Sequence, residues 1–135
     1  MNKIHKINKK PPPIATLNSK NLLSIEGMNK LEINSLLDRA DYFADLDPLK
    51  IIKTLNGYVI LNVFFENSTR TRVSFELAGR RLGAEVINIS VDKSSIKKGE
   101  SLLDTANTLS AMKPNLLIVR PVSYTHLTLP TTGSV

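Results

Sequence analysis

The sequence predicts an α/β fold in which a parallel sheet lies between two layers of helices. Three short apolar segments suited to strands alternate with segments whose apolar residues recur at helical spacing. The order strand, helix, strand, helix, strand is that of two right-handed crossover units, which place helices on the faces of a parallel sheet. The 135 residues suffice for one domain, and 41% hydrophobic with 22% charged residues is a globular composition.

The first predicted element is a helix over residues 29–45. Asn29 and Glu32 have the spacing of a capping box at its start, and Pro48 lies just past its end. We interpret the apolar stripe of this helix as core packing without chemistry. The stripe consists of Ile33, Leu36, Leu37, Ala40 and Ala44.

Residues 58–65 are apolar at nearly every position, which is typical of a central strand covered on both faces. The wholly polar residues 66–72 follow and run into helical spacing over residues 73–82, which Gly83 is suited to end. The remaining predicted elements are a strand over 85–90, a polar loop over 92–99, a helix marked by residues 102–109 and ended near Pro114, and a strand over 116–119.

The residue types present exclude several kinds of chemistry. The chain has no cysteine, and its two histidines, His5 and His126, lie in the terminal segments. Disulfides, thiol nucleophiles and a histidine base, triad or metal site are therefore excluded from the body of the chain. Its longest apolar run is too short to cross a bilayer, and no signal peptide is evident. Chemistry must rest on Ser, Thr, Arg, Lys and backbone groups.

Both ends of the chain differ from its body. Residues 1–10 hold four lysines and no acid, so most of the net charge of +6 lies there. We interpret residues 1–18, with their three consecutive prolines, as a disordered leader. Residues 122–135 are rich in Thr and lack charged residues. They are either an ordinary loop or, as we expect, a non-native tail, because they resemble a translated sequencing adapter. The folded domain is then expected over residues 19–121.

The strongest candidate site is the S-T-R-T-R sequence at residues 68–72. It follows a buried strand and opens a helix, the position at which open parallel sheets bind ligands. The free N–H groups and partial positive charge of a helix start favour an anion, phosphate above all. Three hydroxyls and Arg70 add donors. The alternative is that Ser68 is only a helix cap and the arginines are surface charges. A Walker loop and a dinucleotide fingerprint are excluded, because their glycines are missing.

Two weaker elements accompany this segment. In the loop around Ser94, Lys97 and Lys98 adjoin the flexible Gly99 and can move onto an anion, although a solvated charged loop is the usual interpretation of so short a run. Arg120 ends the third predicted strand, which places it at the same edge of the sheet as residues 68–72.

These segments together resemble a known family. The sequence F-F-E-N-S-T-R-T-R at residues 64–72, with S-F-E at 74–76 and R-L-G-A at 81–84, resembles the carbamoyl-phosphate-binding half of the aspartate and ornithine carbamoyltransferases. The loop and helix at residues 94–105 are more selective, because the K-G-E sequence is similar to the aspartate members and ornithine members usually lack it. The resemblance covers about residues 20–120 and implies a partial carbamoyl-phosphate-binding domain.

The resemblance implies roles for the matching residues. Ser68, Thr69, Arg70 and Thr71 would bind the phosphate of carbamoyl phosphate. Arg70 would also stabilise charge on the leaving phosphate, and Thr71 and Arg120 would hold the carbonyl oxygen. The implied reaction is attack by the amine of L-aspartate on the carbamoyl carbon, which yields N-carbamoyl-L-aspartate and phosphate on the way to pyrimidines.

The resemblance also implies partners. Family members are trimers with shared active sites, so Ser94 and Lys98 would reach the site of a neighbouring subunit, where Lys98 would contact phosphate and the aspartate carboxylates. Arg72 resembles a structural ion-pair residue. We expect a cytoplasmic protein with no metal or organic cofactor and with no nucleic-acid or membrane partner.

Two departures from the family pattern lead us to expect a fragment that is not a complete catalyst. Pro121 follows Arg120 where family members commonly have His, and the aspartate-binding domain is missing. Two alternatives stay open. One is an ornithine-type carbamoyltransferase, and the other is a stand-alone phosphate-binding module that contacts nucleic acid through its basic leader.

Overall fold

The computed structural model of the chain describes residues 10–13, 16–91 and 102–121. The loop residues Ser94 and Lys98, most of the predicted leader and the predicted tail lie outside the described residues. The chain divides into two compact units, Met1–Ile51 and Ile52–Val135.

The main element of the first unit is helix α1 (Lys30–Asp45), which begins with the predicted capping box. The backbone N–H of Glu32 donates to Asn29 Oδ1 at 2.9 Å, and the Asn29 N–H donates to Glu32 Oε2 at 2.9 Å. The Asn18 N–H donates to the second carboxylate oxygen of Glu32 at 2.6 Å. These bonds, that from Asn18 first, lower the pKa of Glu32 from its usual value of 4.5. A short 3₁₀ turn, Pro48–Lys50, follows α1.

The predicted core role of the α1 stripe is wrong. Leu36 and Leu37 are 40% and 57% exposed, and Glu32 is the buried residue of the helix. The physical reason is that the unit's other described parts are short irregular segments and a single 3₁₀ turn. These segments do not cover the stripe, and their own apolar residues Leu22, Leu23 and Ile25 are exposed as well.

The second unit is built on a parallel sheet in the order β2-β1-β3. Its elements along the chain are β1 (Val59–Phe64), α2 (Thr69–Arg81), β2 (Glu85–Ser90), α3 (Leu102–Ala111) and β3 (Leu116–Arg120). Strand β1 is the central strand, as its apolar residues at nearly every position predict, and five of its six residues are buried. The α/β fold with a parallel sheet is thus confirmed. Helix α2 begins at Thr69, so most of the predicted polar segment is already helical.

The two faces of the sheet are covered by different helices. On one face, Ile60 and Val86 lie under α2 at Gly79. On the other face, Leu61 and Val63 pack with Leu109 of α3. Alternate residues of a strand point to opposite faces, so the even-numbered positions of β1 face α2. Arg120 is the register partner of Phe64 and lies on this same face.

Helix α2 ends in a Schellman motif. The N–H of Gly83 donates to the carbonyl of Arg80, and the N–H of Ala84 donates to the carbonyl of Gly79, each at 3.0 Å. Gly83 has φ +92°, a left-handed conformation that residues with a Cβ rarely adopt. The predicted stop is confirmed. Among the described residues, no helix is both long and apolar enough to span a bilayer.

Candidate anion-binding site

The candidate site lies at the edge of the sheet where β1 and β3 end and α2 begins. The parallel register carries Phe64 and Arg120 to this edge side by side, and the Phe65 N–H donates to the Arg120 carbonyl at 3.0 Å. The chain leaves β1, passes through residues 65–68 and enters α2 at Thr69. The side chain of Arg120 therefore meets the start of a helix.

Arg120 is bonded to three side chains at the start of this helix or just before it. Its Nη1 donates to Ser68 Oγ at 2.9 Å and to Thr71 Oγ1 at 2.7 Å. Its Nε donates to Glu66 Oε1 at 3.2 Å and forms an ion pair with it. The Arg120 side chain is still 42% exposed, and the Glu66 side chain is 29% exposed. Arg120 is thus oriented by its neighbours while part of its surface stays open to a ligand.

Ser68 occupies the N-cap position of α2, but its side chain makes no capping hydrogen bond. Its hydroxyl oxygen accepts from Arg120 instead, which argues against the interpretation of Ser68 as only a cap. Within the described part of the chain, the backbone N–H groups of residues 69–71 have no hydrogen-bond acceptor. The first turn of α2 also contains no acidic residue. The partial positive charge at the start of α2 is therefore not balanced by an acidic side chain of this turn and favours binding of an anion.

The structure brings together three of the predicted site residues, Ser68, Thr71 and Arg120. Thr69 and Arg70 belong to the same turn, but their side chains are exposed and bond to no other described residue. An exposed guanidinium on the first turn is free to move toward a bound anion. Ser94 and Lys98 lie outside the described residues, so their predicted place at a neighbouring site stays a prediction.

Arg72, expected to be a structural ion-pair residue, is half-buried near Glu76 and contributes to the lowered pKa of that carboxyl group. Its contribution is smaller than the hydrogen bonds from Asn88 and Arg80. Arg80 Nε pairs with Glu76 Oε1 at 3.2 Å across one helical turn. In the described segments, the clear ion pair of α2 is therefore made by Arg80 rather than by Arg72.

Sequence reasoning missed two kinds of residue at this edge. Glu66 pairs with Arg120, and the available signal was an acid placed directly after a buried strand. Asn62 and Asn88 form a buried amide pair under α2, and the signal was a polar residue inside each of two strands. The described residues contain no group of three or more His, Cys, Asp or Glu that could hold a metal ion.

Comparison with known proteins identifies relatives of this site. Residues 20–132 match the family model for the carbamoyl-phosphate-binding domain of aspartate/ornithine carbamoyltransferases. The aspartate carbamoyltransferase catalytic subunit of Dinoroseobacter shibae is 57% identical over 107 residues, which are 78% of this chain and 34% of the relative. That of Rhodospirillum rubrum is 53% identical over 103 residues, 75% of this chain and 32% of the relative.

Solved structures agree. Aspartate transcarbamoylase of Trypanosoma cruzi in complex with carbamoyl phosphate and aspartate has a TM-score of 0.68 and 37% identity, over 82% of this chain and 35% of that one. The catalytic subunit of M. jannaschii aspartate transcarbamoylase has a TM-score of 0.66 and 41% identity, over 75% of this chain and 33% of that one. The chain spans about one third of the length of these relatives.

Proposed function

This chain belongs to the aspartate/ornithine carbamoyltransferase family, and we propose that it supplies the carbamoyl-phosphate-binding part of an aspartate carbamoyltransferase. The whole enzyme transfers the carbamoyl group of carbamoyl phosphate to L-aspartate. The observation that carries the proposal is Arg120, whose guanidinium contacts both Ser68 and Thr71 beside the open start of α2. Two hydroxyls, a guanidinium and unpaired backbone N–H groups at one sheet edge suit a small phosphorylated ligand.

The aspartate acceptor is favoured over ornithine by two observations. The relatives described above are all aspartate enzymes, and the Trypanosoma cruzi relative is described in complex with aspartate. The K-G-E sequence at residues 98–100 points the same way, since ornithine members usually lack it. We infer that, apart from Lys98, the residues that bind the acceptor amino acid belong to the part of the relatives that this chain does not span.

In the proposed reaction, the phosphate lies over the first turn of α2. The N–H groups of residues 69–71 and the side chains of Ser68, Thr69, Arg70 and Thr71 donate to its oxygens. Hydrogen bonds to a charged group are worth about 1.5–3 kcal/mol each, so several of them suffice to hold a dianion. The binding energy also orients the carbamoyl carbon toward the incoming amine.

The chemical step forms a C–N bond and breaks a C–O bond. The aspartate amine attacks the carbamoyl carbon, and the bond to the phosphate oxygen breaks. Phosphate leaves with the electron pair and takes up the proton that the nitrogen loses. Arg120 and Thr71 face the position of the carbonyl oxygen, on which negative charge builds. Arg70 neutralises charge on the leaving phosphate. Preorganised donors of this kind contribute about 10²–10³-fold each to a rate.

The assembly belongs to the same proposal. The whole enzyme is a cytoplasmic homotrimer that acts in pyrimidine synthesis, and Ser94 and Lys98 of one subunit complete the site of the next. The support is the resemblance of residues 94–105 to the aspartate members. The folded carbamoyl-phosphate-binding part comprises residues 19–121, with residues 1–18 as a leader.

Isothermal titration calorimetry of the chain with carbamoyl phosphate and with inorganic phosphate tests the binding proposal. We expect saturable heat with both ligands and weaker binding by an Arg70→Ala variant. Arg81→Ala is the matched control, because it removes the same charge from the exposed far end of α2. Absence of binding by the unaltered chain would contradict the proposal.

Activity is tested in a chimera that carries residues 20–120 of this chain in place of the matching segment of the Dinoroseobacter shibae relative. We expect carbamoyl transfer to aspartate, with ornithine inactive as the acceptor. Arg70→Ala in this chimera should lower turnover by about 10²-fold or more, whereas Arg81→Ala should not. A chimera that folds and assembles but transfers no carbamoyl group would refute the assignment.

A further inference from the structure

The centre of the sheet contains a buried amide that the proposed reaction does not use. Asn62 lies in the middle of β1 and is 0% exposed. The neighbouring positions of β1 are apolar, and the strand is covered on both faces. An aliphatic side chain would satisfy the packing at this position without carrying polar atoms into the core.

The two side-chain N–H groups of Asn62 are both used. Nδ2 donates to the backbone carbonyl of Arg72 at 3.1 Å and to Oδ1 of Asn88 at 3.0 Å. Asn88 is the register partner of Asn62 on β2. The Arg72 N–H in turn donates to the Ser68 carbonyl at 3.0 Å, which closes the first turn of α2. The amide of Asn62 thus links the central strand directly to the turn that contains the candidate anion site.

The connection continues from β2 back to α2. The Asn88 side chain also interacts with the Glu76 carboxylate and is the first cause of the lowered pKa of Glu76, followed by the bond from Arg80. Glu76 lies one helical turn after Arg72. Polar contacts therefore connect two successive turns of α2 to the sheet. Asn62 makes the contact with the first turn, and Asn88 makes the contact with the second.

This arrangement has a cost that packing alone would avoid. Asn62 Oδ1 is buried and accepts no hydrogen bond from any described residue. A buried polar atom without a partner is unfavourable, whereas a core in which both partners of a hydrogen bond are apolar carries no such penalty. Apolar packing is also non-directional, so it would hold α2 against the sheet without setting its rotation or its position along β1. A hydrogen bond to one carbonyl sets both.

We propose that Asn62, through its bond to the Arg72 carbonyl, is a positioning residue for phosphate binding at the start of α2. This inference rests on the proposed function. The hydroxyl of Thr71 and the N–H groups of residues 69–71, all in α2, must converge on one anion. Arg120 must reach the same anion from the end of β3. Asn62 holds the first turn of α2 at the position along β1 where these groups meet.

The test compares phosphate affinity with stability in the same variants. Asn62→Leu keeps the branched shape of the side chain and lacks both donors, so it should weaken inorganic phosphate and carbamoyl phosphate binding about tenfold while lowering Tm less than the control variant does. Val63→Ala is the matched control. Val63 is the next residue of β1 and faces α3, so its truncation should lower Tm and leave phosphate affinity unchanged.

Hydrogen exchange of the ligand-free chain gives a second readout. In Asn62→Leu the amide protons of residues 72–76 should exchange faster, while those of the far half of α2 should not. If Asn62→Leu does not fold, Asn88→Ala replaces it, because it leaves Asn62 in place without its side-chain acceptor and should weaken phosphate binding several-fold.

The outcomes separate this inference from the function on which it rests. Unaltered phosphate affinity in a folded Asn62→Leu variant, with the original chain binding normally, overturns the positioning role alone. A proportional loss of stability and affinity in both Asn62→Leu and Val63→Ala also overturns it, since the role would then be merely structural. Failure of the unaltered chain to bind either ligand overturns the proposed function and this inference together.

Discussion

Gly79 sets how closely α2 approaches the sheet, and substituting it with Ala tests that packing. A Cβ at this position would lie 2.7 Å from Val86 Cγ2 and 3.0 Å from Ile60 Cδ1. Ordinary contact between carbon atoms is about 3.5–4.0 Å. Either α2 moves outward by roughly 1 Å, or the two buried side chains leave their preferred rotamers.

Two effects of opposite sign determine the magnitude. Ala is favoured over Gly inside a helix by about 1 kcal/mol. Overpacking a well-filled core costs typically about 1–3 kcal/mol. Val86 and Ile60 are 7% and 3% exposed, so neither has open space to turn into. Because the contact with Val86 is shorter than real Cβ contacts and the contact with Ile60 is at their lower limit, we expect the clash to prevail and Gly79→Ala to destabilise the chain by about 1–2 kcal/mol.

The assay is urea unfolding followed by circular dichroism, arranged as a double-mutant cycle. Val86→Ala removes the methyl groups that the new Cβ would meet, so the double variant should lose less stability than the sum of the two single variants, by about 1 kcal/mol or more. Ala78→Gly is the propensity control, because Ala78 is exposed on the same helix and away from the sheet. Stabilisation by Gly79→Ala, as propensity alone demands, would refute the reasoning.

Three further predictions concern the site and α1. Arg120→Lys should weaken phosphate binding in calorimetry at least tenfold, because an ammonium group cannot reproduce the planar set of bonds to two hydroxyls and a carboxylate; unchanged affinity would remove this guanidinium from the site. In the chimera, mixed trimers of inactive Arg70→Ala and inactive Lys98→Ala subunits should regain activity if Lys98 acts across an interface, and assembled mixed trimers without activity would contradict shared sites. The pKa of Glu32 is lowered in the folded chain, so the ionised carboxylate stabilises α1 above the unfolded pKa, and this stabilisation is lost as pH falls through the folded pKa. In an acid titration, the helix content of Glu32→Gln should therefore depend less on pH than that of the unaltered chain. Identical titrations of the two chains would contradict this.

The sequence alone determined the type and order of the elements. Three of these signals are local, because each depends on residues within one or two turns or along one strand. They are the capping by Asn29, the stop at Gly83 and the nearly continuous apolar run of β1. The sequence also indicated the candidate anion site at residues 68–72, since the end of a buried strand and the start of a helix are adjacent in the chain.

Only the tertiary structure decided which groups meet there. The order β2-β1-β3 places Arg120 beside the segment from Glu66 to Thr71, although about fifty residues separate them in the chain. The pairing of Asn62 with Asn88 depends on the same choice of neighbours and register. Strand order and register result from the competition of many distant contacts, which no local pattern records. Local periodicity therefore predicted the parts of the site, and the packing of the sheet brought them into contact.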